Sequence, residues 1–480
     1  MSGKAEKAPE FPIAARSALE DVELRRNVRR ATDVIRSKRD LRVQELPDWE
    51  ELRQAGKEIK AHTLAHLDHY LVEFERNCEL AGGKVHWARN AEEANAIAIS
   101  LVGQHAGIQS GVEVIKVKTM TSDEIQMNRA LEAAGITPIE TDLADMIVQL
   151  GNDAPSHIVV PALHKNRSQI RDIFRVKMNL PDLEDSPEVL TAAARKYLRE
   201  RFLSVKIAIS GANFAIAETG SVCIVESEGN GRMCITLPEV LICLVGIEKI
   251  IPTFRDLEVF LQTLPRSATG ERMNPYNSLW TGITSGDGPR KFHVILLDNG
   301  RRGLIRNKRE RETLSCIRCG ACLNVCPVYR ETGGHAYGSI YSGPIGAILS
   351  PQLQSLEHSQ SLPFASTLCG ACYEVCPVKI DIPEILIHLR GRIIRNSYKR
   401  LGATLSAENL VMQAASAVFR NHRRYEAAQR LARISQTLFK RNQHLVKLPG
   451  MAGAWTDSRD LRPIPRLSFR DWWKIRGKHK

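Results

Sequence analysis

Seven cysteines fall between residues 316 and 376 in two runs, Cys316-x2-Cys319-x2-Cys322-x3-Cys326-Pro327 and Cys369-x2-Cys372-x3-Cys376-Pro377. Thiols at this spacing are a ligand pattern of iron–sulfur clusters. Two intervening residues let a loop wrap so that successive thiolates reach different irons of one cube. The longer step carries the fourth Cys away, and in two-cluster proteins it ligates the other cluster. Proline then ends the loop by fixing φ and removing a donor. On that logic Cys316, Cys319, Cys322 and Cys376 hold one cluster, and Cys326, Cys369 and Cys372 hold the second. Both are expected as [4Fe–4S], near enough to pass single electrons.

The second set is one thiol short. Aligning the runs places Ser366 opposite Cys316. A serine oxygen is a harder ligand than a thiolate and suits iron less well. The second cluster is therefore expected either with an open, labile iron, or as [3Fe–4S], or completed by Ser366 or solvent. Zinc is the main competing reading, but it favours two ligand pairs separated by a wider gap. Disulfides are not expected, because the charged first 30 residues do not read as a secretory signal and intracellular thiols stay reduced. Cys78, Cys223, Cys234 and Cys243 lie in apolar or mixed contexts and read as small buried hydrophobes.

The chain has 480 residues, enough for two or three domains, and its 43% hydrophobic content is ordinary for a soluble protein. No window approaches the 18 or so apolar residues of a membrane span, so a cytoplasmic protein is expected, with peripheral membrane contact left open. Residues 396–480 carry 18 Lys and Arg against 5 Asp and Glu, which is the whole net charge of +13. Such a tail could meet an acidic partner or an anionic surface, or it could be a solvated helical face. No recognition motif supports nucleic acid.

Four regions are expected: helical 1–65, an α/β domain over 66–302, a ferredoxin-like domain over 303–395, and a basic helical region over 396–480. The α/β reading rests on alternation. Strands are expected at Lys84–Ala88, Gly111–Val117, Thr137–Glu140, Ser156–Pro161, Leu241–Ile251 and His293–Leu297. Helices are expected at His62–Ala81, Ala91–Gln104 and Ser122–Ala134. Phe214–Ala217 and Ser221–Val225 flank Glu218-Thr219-Gly220, which predicts a hairpin. The basic stretch 300–314 is expected to separate two independently folding halves. Residues 333–360, rich in Gly, Ser and Pro, read mostly as loop. Ile382–Arg395 and 405–440 read as helical, and 455–480 as extended and docked.

The α/β part also carries a set of phrases in order. They are Lys118-Thr119-Met120-Thr121, Glu140-Thr141-Asp142-Leu143, Pro155-Ser156-His157-Ile158, Pro161-Ala162-Leu163-His164-Lys165, Ala217-Glu218-Thr219-Gly220-Ser221 and Leu237-Pro238. Together they resemble the lactate-utilisation (LUD) domain. With the cysteine runs and the closing Trp-rich segment, residues 10–475 resemble the LutB (YkgF-type) family. The resemblance implies an α/β fold similar to the NagB, RpiA and CoA-transferase-like domains. It implies a part in oxidation of L-lactate to pyruvate. It also implies a Cys-rich LutA-like partner and a smaller LutC-like LUD protein, with the LutB member as electron carrier.

The LUD phrases are chemically open. Glu218, exposed at a hairpin tip, could be a base or nucleophile, or only a turn residue. His157, His164 and Lys165 could bind a carboxylate, or only make structural hydrogen bonds. Lys118, Thr119 and Thr121 could hold an anion before a helix, or cap it. No GxGxxG or P-loop is present, so no nucleotide site is supported. Three functions compete: an electron-transfer subunit in L-lactate oxidation, a LUD domain that itself oxidises a 2-hydroxy acid through its own clusters, and a regulatory iron–sulfur protein. Two clusters and the lack of a DNA-binding helix pair weigh against the third.

Overall fold

A computed structural model describes residues 10–106, 111–398, 407–441, 444–445, 448, 450, 453–456, 459 and 461–477. They divide into two compact units, one reaching Ile393 and one beginning at Ile394.

Strand formation in the first unit follows side-chain alternation. Six strands form one parallel sheet: β1 (Lys84–Ala88), β2 (Val112–Lys116), β3 (Ile136–Glu140), β4 (Ile207–Gly211), β7 (Val240–Gly246) and β10 (Lys291–Leu297), in the order β1-β10-β7-β4-β2-β3. In β7, Leu241, Cys243 and Val245 enter one core, while Ile242 and Leu244 enter the other. In β10, Phe292, Val294 and Leu296 likewise oppose Ile295 and Leu297. Both faces are covered, as parallel sheets require, so these strands read as unbroken apolar runs. The four cysteines outside the runs are all fully buried.

A second, mixed sheet holds β5 (Phe214–Ile216), β6 (Ser221–Glu226), β8 (Ile250–Ile251) and β9 (Tyr276–Trp280), in the order β8-β5-β6-β9. The expected hairpin is its centre, with Phe214 opposite Cys223 and Ile216 opposite Ser221. Ala215 joins the core of the large sheet. Phe214 and Ile216 point the other way, into a core shared with Phe260, Ile317, Cys319, Leu323 and Cys326. The small sheet thus joins the α/β part to the cysteine loops. N-terminal helices Val22–Gln44 and Trp49–Ala65 close over those loops: Arg53 donates to the carbonyls of Cys376 (2.9 Å) and Tyr373 (3.1 Å), and Arg25 pairs with Glu331 at 2.8 Å.

Several elements differ from expectation. The strand expected over Leu241–Ile251 breaks after Gly246, where Ile247–Lys249 makes a short 3-10 helix before β8 joins the other sheet. Any side chain at Gly246 would collide with the Glu248 carboxylate. Ser156–Pro161 is not a strand but a turn, closed by the Ser156 N–H on the Pro161 carbonyl at 2.9 Å. Ser122–Ala134 is two short helices, Met120–Glu124 and Met127–Ala133, separated at left-handed Gln126 (φ 53°). His62–Ala81 divides between helices Trp49–Ala65 and Leu67–Leu80. A buried helix, Gly343–Leu353, occupies the stretch expected as loop. The 300–314 connector is helical and lies inside the first unit, with Arg301 fully buried.

In the second unit, helices Ala407–Phe419, His422–Ser435 and Phe469–Gly477 account for most of the described residues. The last of these stands where an extended end was expected. It leaves Phe469, Trp472 and Trp473 exposed.

Candidate functional site

The two cysteine loops have the same local build. In the first, Arg318 takes φ 63° and Gly320 φ 73°, and helix Ala321–Val325 follows. In the second, Leu368 takes φ 55° and Gly370 φ 85°, and helix Ala371–Glu374 follows. Left-handed residues are costly unless Gly, so their repetition marks a loop held to one shape. The Arg318 N–H points at Cys316 Sγ (3.4 Å), and the Leu368 N–H points in the same way at Ser366 Oγ (3.1 Å). Ser366 Oγ therefore makes in its loop the contact that Cys316 Sγ makes in the first. Beyond each loop the pattern repeats, the Tyr329 N–H meeting Cys326 Sγ (3.5 Å) and the Ile380 N–H meeting Cys376 Sγ (3.4 Å).

The structure brings the thiols together in two groups. Cys319 feels Cys376 and Cys316, Cys322 feels Cys316 and Cys319, and Cys376 feels Cys316. Separately, Cys326 feels Cys369, and Cys372 feels both. Cys322 and Cys372 are neighbours across the two groups. Burial first, and neighbouring thiols second, push Cys372 up to about 12, and Cys319 and Cys322 are raised as well. Thiolates so crowded need a metal to hold them ionised. Four thiolates on one tetrahedral zinc would lie about 3.8 Å apart at the usual Zn–S length. Among the described residues, the only His, Cys, Asp or Glu trio with ligand atoms all within 4.8 Å of one another is Asp153, His164 and His335.

Beside the first loop, a cavity of about 400 Å³ opens at the carboxyl ends of β2 and β4. In parallel α/β sheets this is the edge where ligands bind. Lys118, Thr119 and Thr121 follow β2 into it, Asn213 follows β4, and Lys249 and Arg318 also line it. Arg318 connects the cavity to the cysteines. Its Nη2 donates to the Glu248 carboxylate (3.2 Å) and its guanidinium lies over the Tyr341 ring at 4.8 Å. Glu248 also pairs with Arg301, which reaches Glu124 at 2.8 Å. Burial alone would raise Glu248, but Arg301, Arg318 and Lys249 bring it down to about 2. Burial, then the Arg318 charge, lowers Lys249 to about 8.

Three family models match the chain: LUD domain over residues 71–297, 4Fe-4S dicluster domain over 312–380, and lactate utilisation protein B, C-terminal, over 397–478. "Lactate utilization protein B" of Anoxybacillus flavithermus is 42% identical over 98% of both chains. The protein of that name from Bacillus subtilis is 42% identical over 93% of this chain and 92% of its own. The chain belongs to the lactate utilization protein B family. The dicluster match covers all seven cysteines and supports iron–sulfur clusters there. Among the described residues, no helix is long and apolar enough to cross a membrane.

Within the LUD domain of this family member, the other expected residues fall outside the cavity. Glu218 is exposed and accepts the Phe254 N–H (2.8 Å) at the start of helix Phe254–Ala268. His157 Nδ1 accepts the N–H groups of Val159 (3.1 Å) and Val160 (3.0 Å), locking the turn that replaced the expected strand. Burial, then the Lys118 charge, lowers its pKa to about 3, so it stays neutral. His164 (3.0 Å) and Lys165 (2.5 Å) share Asp153. Lys118 donates to the Val159 carbonyl at 2.9 Å. Thr119 precedes a helix of only five residues and makes no side-chain cap there. Lys249 and Arg318 were not singled out by sequence reasoning. Arg318 was traceable, being a charged residue between two cluster cysteines. Lys249 had no local signal.

Proposed function

We propose that this protein is an iron–sulfur electron-transfer subunit in the oxidation of L-lactate to pyruvate. The observation that carries the reading is the pair of matched cysteine loops, in a chain 42% identical to lactate utilization protein B over nearly its whole length. The thiol neighbours support crossed ligation, with Cys316, Cys319, Cys322 and Cys376 holding one [4Fe–4S] cluster and Cys326, Cys369 and Cys372 the other. Ser366 is the candidate for the remaining position. Without it, the second cluster would have an open iron or be [3Fe–4S]. Such a pair supplies one-electron relay at tunable potential.

The chain's own residues bury Cys319, Cys322 and Cys376 of the first group, half-bury Cys316, and leave Cys369 of the second exposed. That arrangement suits electron exchange with a partner on the Cys369 side. A Cys-rich LutA-like subunit and a small LutC-like LUD protein are the proposed partners, and the +13 excess of residues 396–480 is a candidate docking region. The covered parallel sheet supports a NagB/RpiA-like fold for the LUD domain. A second reading, in which the LUD domain itself takes the 2-hydroxy acid, is favoured by the cavity beside Arg318. The assay is L-lactate oxidation with an artificial acceptor, for the anaerobic chain alone and with its two partners. Turnover only with partners is expected. Turnover by the chain alone would replace the carrier reading with the second.

A further inference from the structure

The Tyr337 hydroxyl is buried beside the cysteines and has no hydrogen-bond partner among the described residues, in a side chain only 3% exposed. A phenol keeps its proton at neutral pH, so the group is a donor. A buried donor left unmade costs its full desolvation penalty, so this one calls for an acceptor. The other side chains with unpaired atoms close by have neighbours to answer to. Arg318 has Glu248 and the Tyr341 ring, and Asn324, between Cys322 and Cys326, stands against His157.

Packing fixes where the hydroxyl stands. Tyr337 ends the short 3-10 helix His335–Tyr337, with its ring 4.9 Å from Phe11 and 6.4 Å from Tyr329. Tyr329 is the residue whose N–H meets Cys326 Sγ. Tyr337 itself feels Cys326 first and Cys322 after it. Those two cysteines belong to different groups, so the hydroxyl stands where the groups meet, nearer the second. What they offer a donor is sulfur, as cysteine thiolate and as the sulfide of the clusters they would hold.

We propose that the Tyr337 hydroxyl donates a hydrogen bond to a sulfur of the second cluster, on its Cys326 side, and thereby raises that cluster's potential relative to the first. The inference rests on the iron–sulfur electron-transfer reading and adds a direction to it. Reduction makes a cluster one charge more negative, and a donor aimed at its sulfur stabilises that state more than the oxidised one. An electron on the first cluster then moves to the second. The first is oxidised by one electron, the second is reduced by one, and the proton stays on the tyrosine oxygen. The second group is the one with Cys369 exposed, so the donor holds the electron on the outer side.

The test is a redox titration of the anaerobic full-length protein with its clusters in place, followed by EPR. Cys319→Ala and Cys369→Ala assign the two signals. Tyr337→Phe keeps the ring against Phe11 and removes only the oxygen, so its iron content should match wild type. Its Cys369-dependent signal should titrate at lower potential, by about tenfold in the reduction equilibrium or ~59 mV for a one-electron couple, with the other signal unmoved. Placing ortho-fluorotyrosine at position 337 makes the phenol a stronger donor at nearly the same size, and should move the same signal upward. A merely structural role would not give opposite shifts. Unchanged potentials in both proteins would overturn the proposal, as would shifts of one sign in both, or shifts confined to the Cys319-dependent signal. If Tyr337→Phe loses iron, the fluorinated protein decides alone, and the lack of an upward shift would overturn the proposal. Two clusters in wild type with unmoved potentials in the variants would leave the electron-transfer reading standing while this inference falls. A wild type without clusters would remove both.

Discussion

At the residue scale, the single difference between the loops, Cys316 against Ser366, carries the sharpest consequence. Each accepts the N–H two residues on, so the protein already holds an oxygen where the first loop holds a sulfur. Ser366→Cys should restore a fourth thiolate without altering the loop. The variant is expected to retain more iron in air than wild type and to lose any three-iron EPR signal. Equal retention, with eight irons already stable in the wild type, would mean the serine position is no weak point. Glu248 has a different role, neutralising Arg301 and Arg318 in the interior. Glu248→Gln should cost about 3–5 kcal/mol near neutral pH, because it leaves buried Arg318 without its carboxylate partner, while Arg301 keeps Glu124. Its carboxyl sits lower folded, at about 2, than the usual 4.5. The stability it adds is therefore full above about pH 4.5 and falls as pH drops toward 2. Denaturation midpoints of the two proteins should converge over that range, and a constant gap would refute the charge account.

At the element scale, legibility in the sequence depended on whether a signal was local. The cysteine loops were readable because thiol spacing dictates the loop. The β5–β6 hairpin was readable because Gly220 supplies the positive φ its turn needs (66°). Helix Gly343–Leu353 was hidden by its composition: Gly and Pro normally break helices, but here Pro344 sits in the first turn and Gly346 lets the Tyr341 carbonyl approach. The Ser156–Pro161 segment looked strand-like from its branched residues, yet His157 and Pro161 fold it into a turn that receives the second half of the protein. The Tyr329 hydroxyl donates to the Ser156 carbonyl at 2.8 Å, and Gly334 packs so closely on Ser156 that a Cβ would collide with that carbonyl. Gly334→Ala should lower stability by about 2 kcal/mol or more, since backbone rather than a mobile side chain must yield. A thermal midpoint equal to wild type would contradict this packing.

For the molecule as a whole, the connector expected to separate two independently folding halves lies within one compact unit. Phe214, Ile216 and Phe260 of the LUD side share a core with Ile317, Leu323 and the cluster cysteines, and Arg301 in the connector pairs with Glu124 and Glu248. Those are long-range matches that no window of sequence displays, and they also place Lys249 and Arg318 at one cavity. A fragment ending at Arg302 would expose that apolar face and leave Glu248 with Arg301 but without Arg318. It is expected to aggregate or to melt well below the full chain, and a soluble, cooperatively folded fragment would restore the two-unit picture.

The central claim is that two iron–sulfur clusters are ligated crosswise by the two cysteine runs. It is tested most directly by counting iron and sulfide in anaerobic wild type, Cys319→Ala, Cys376→Ala and Cys369→Ala, with EPR of each reduced protein. Two cubane clusters predict about eight irons and eight sulfides in wild type, or about seven irons if the second is [3Fe–4S]. Cys376→Ala should then lose the same EPR signal as Cys319→Ala, although it lies in the other run, while Cys369→Ala loses the remaining one. A colourless protein holding zinc, or a Cys376→Ala variant that loses the Cys369 signal instead, would contradict the account.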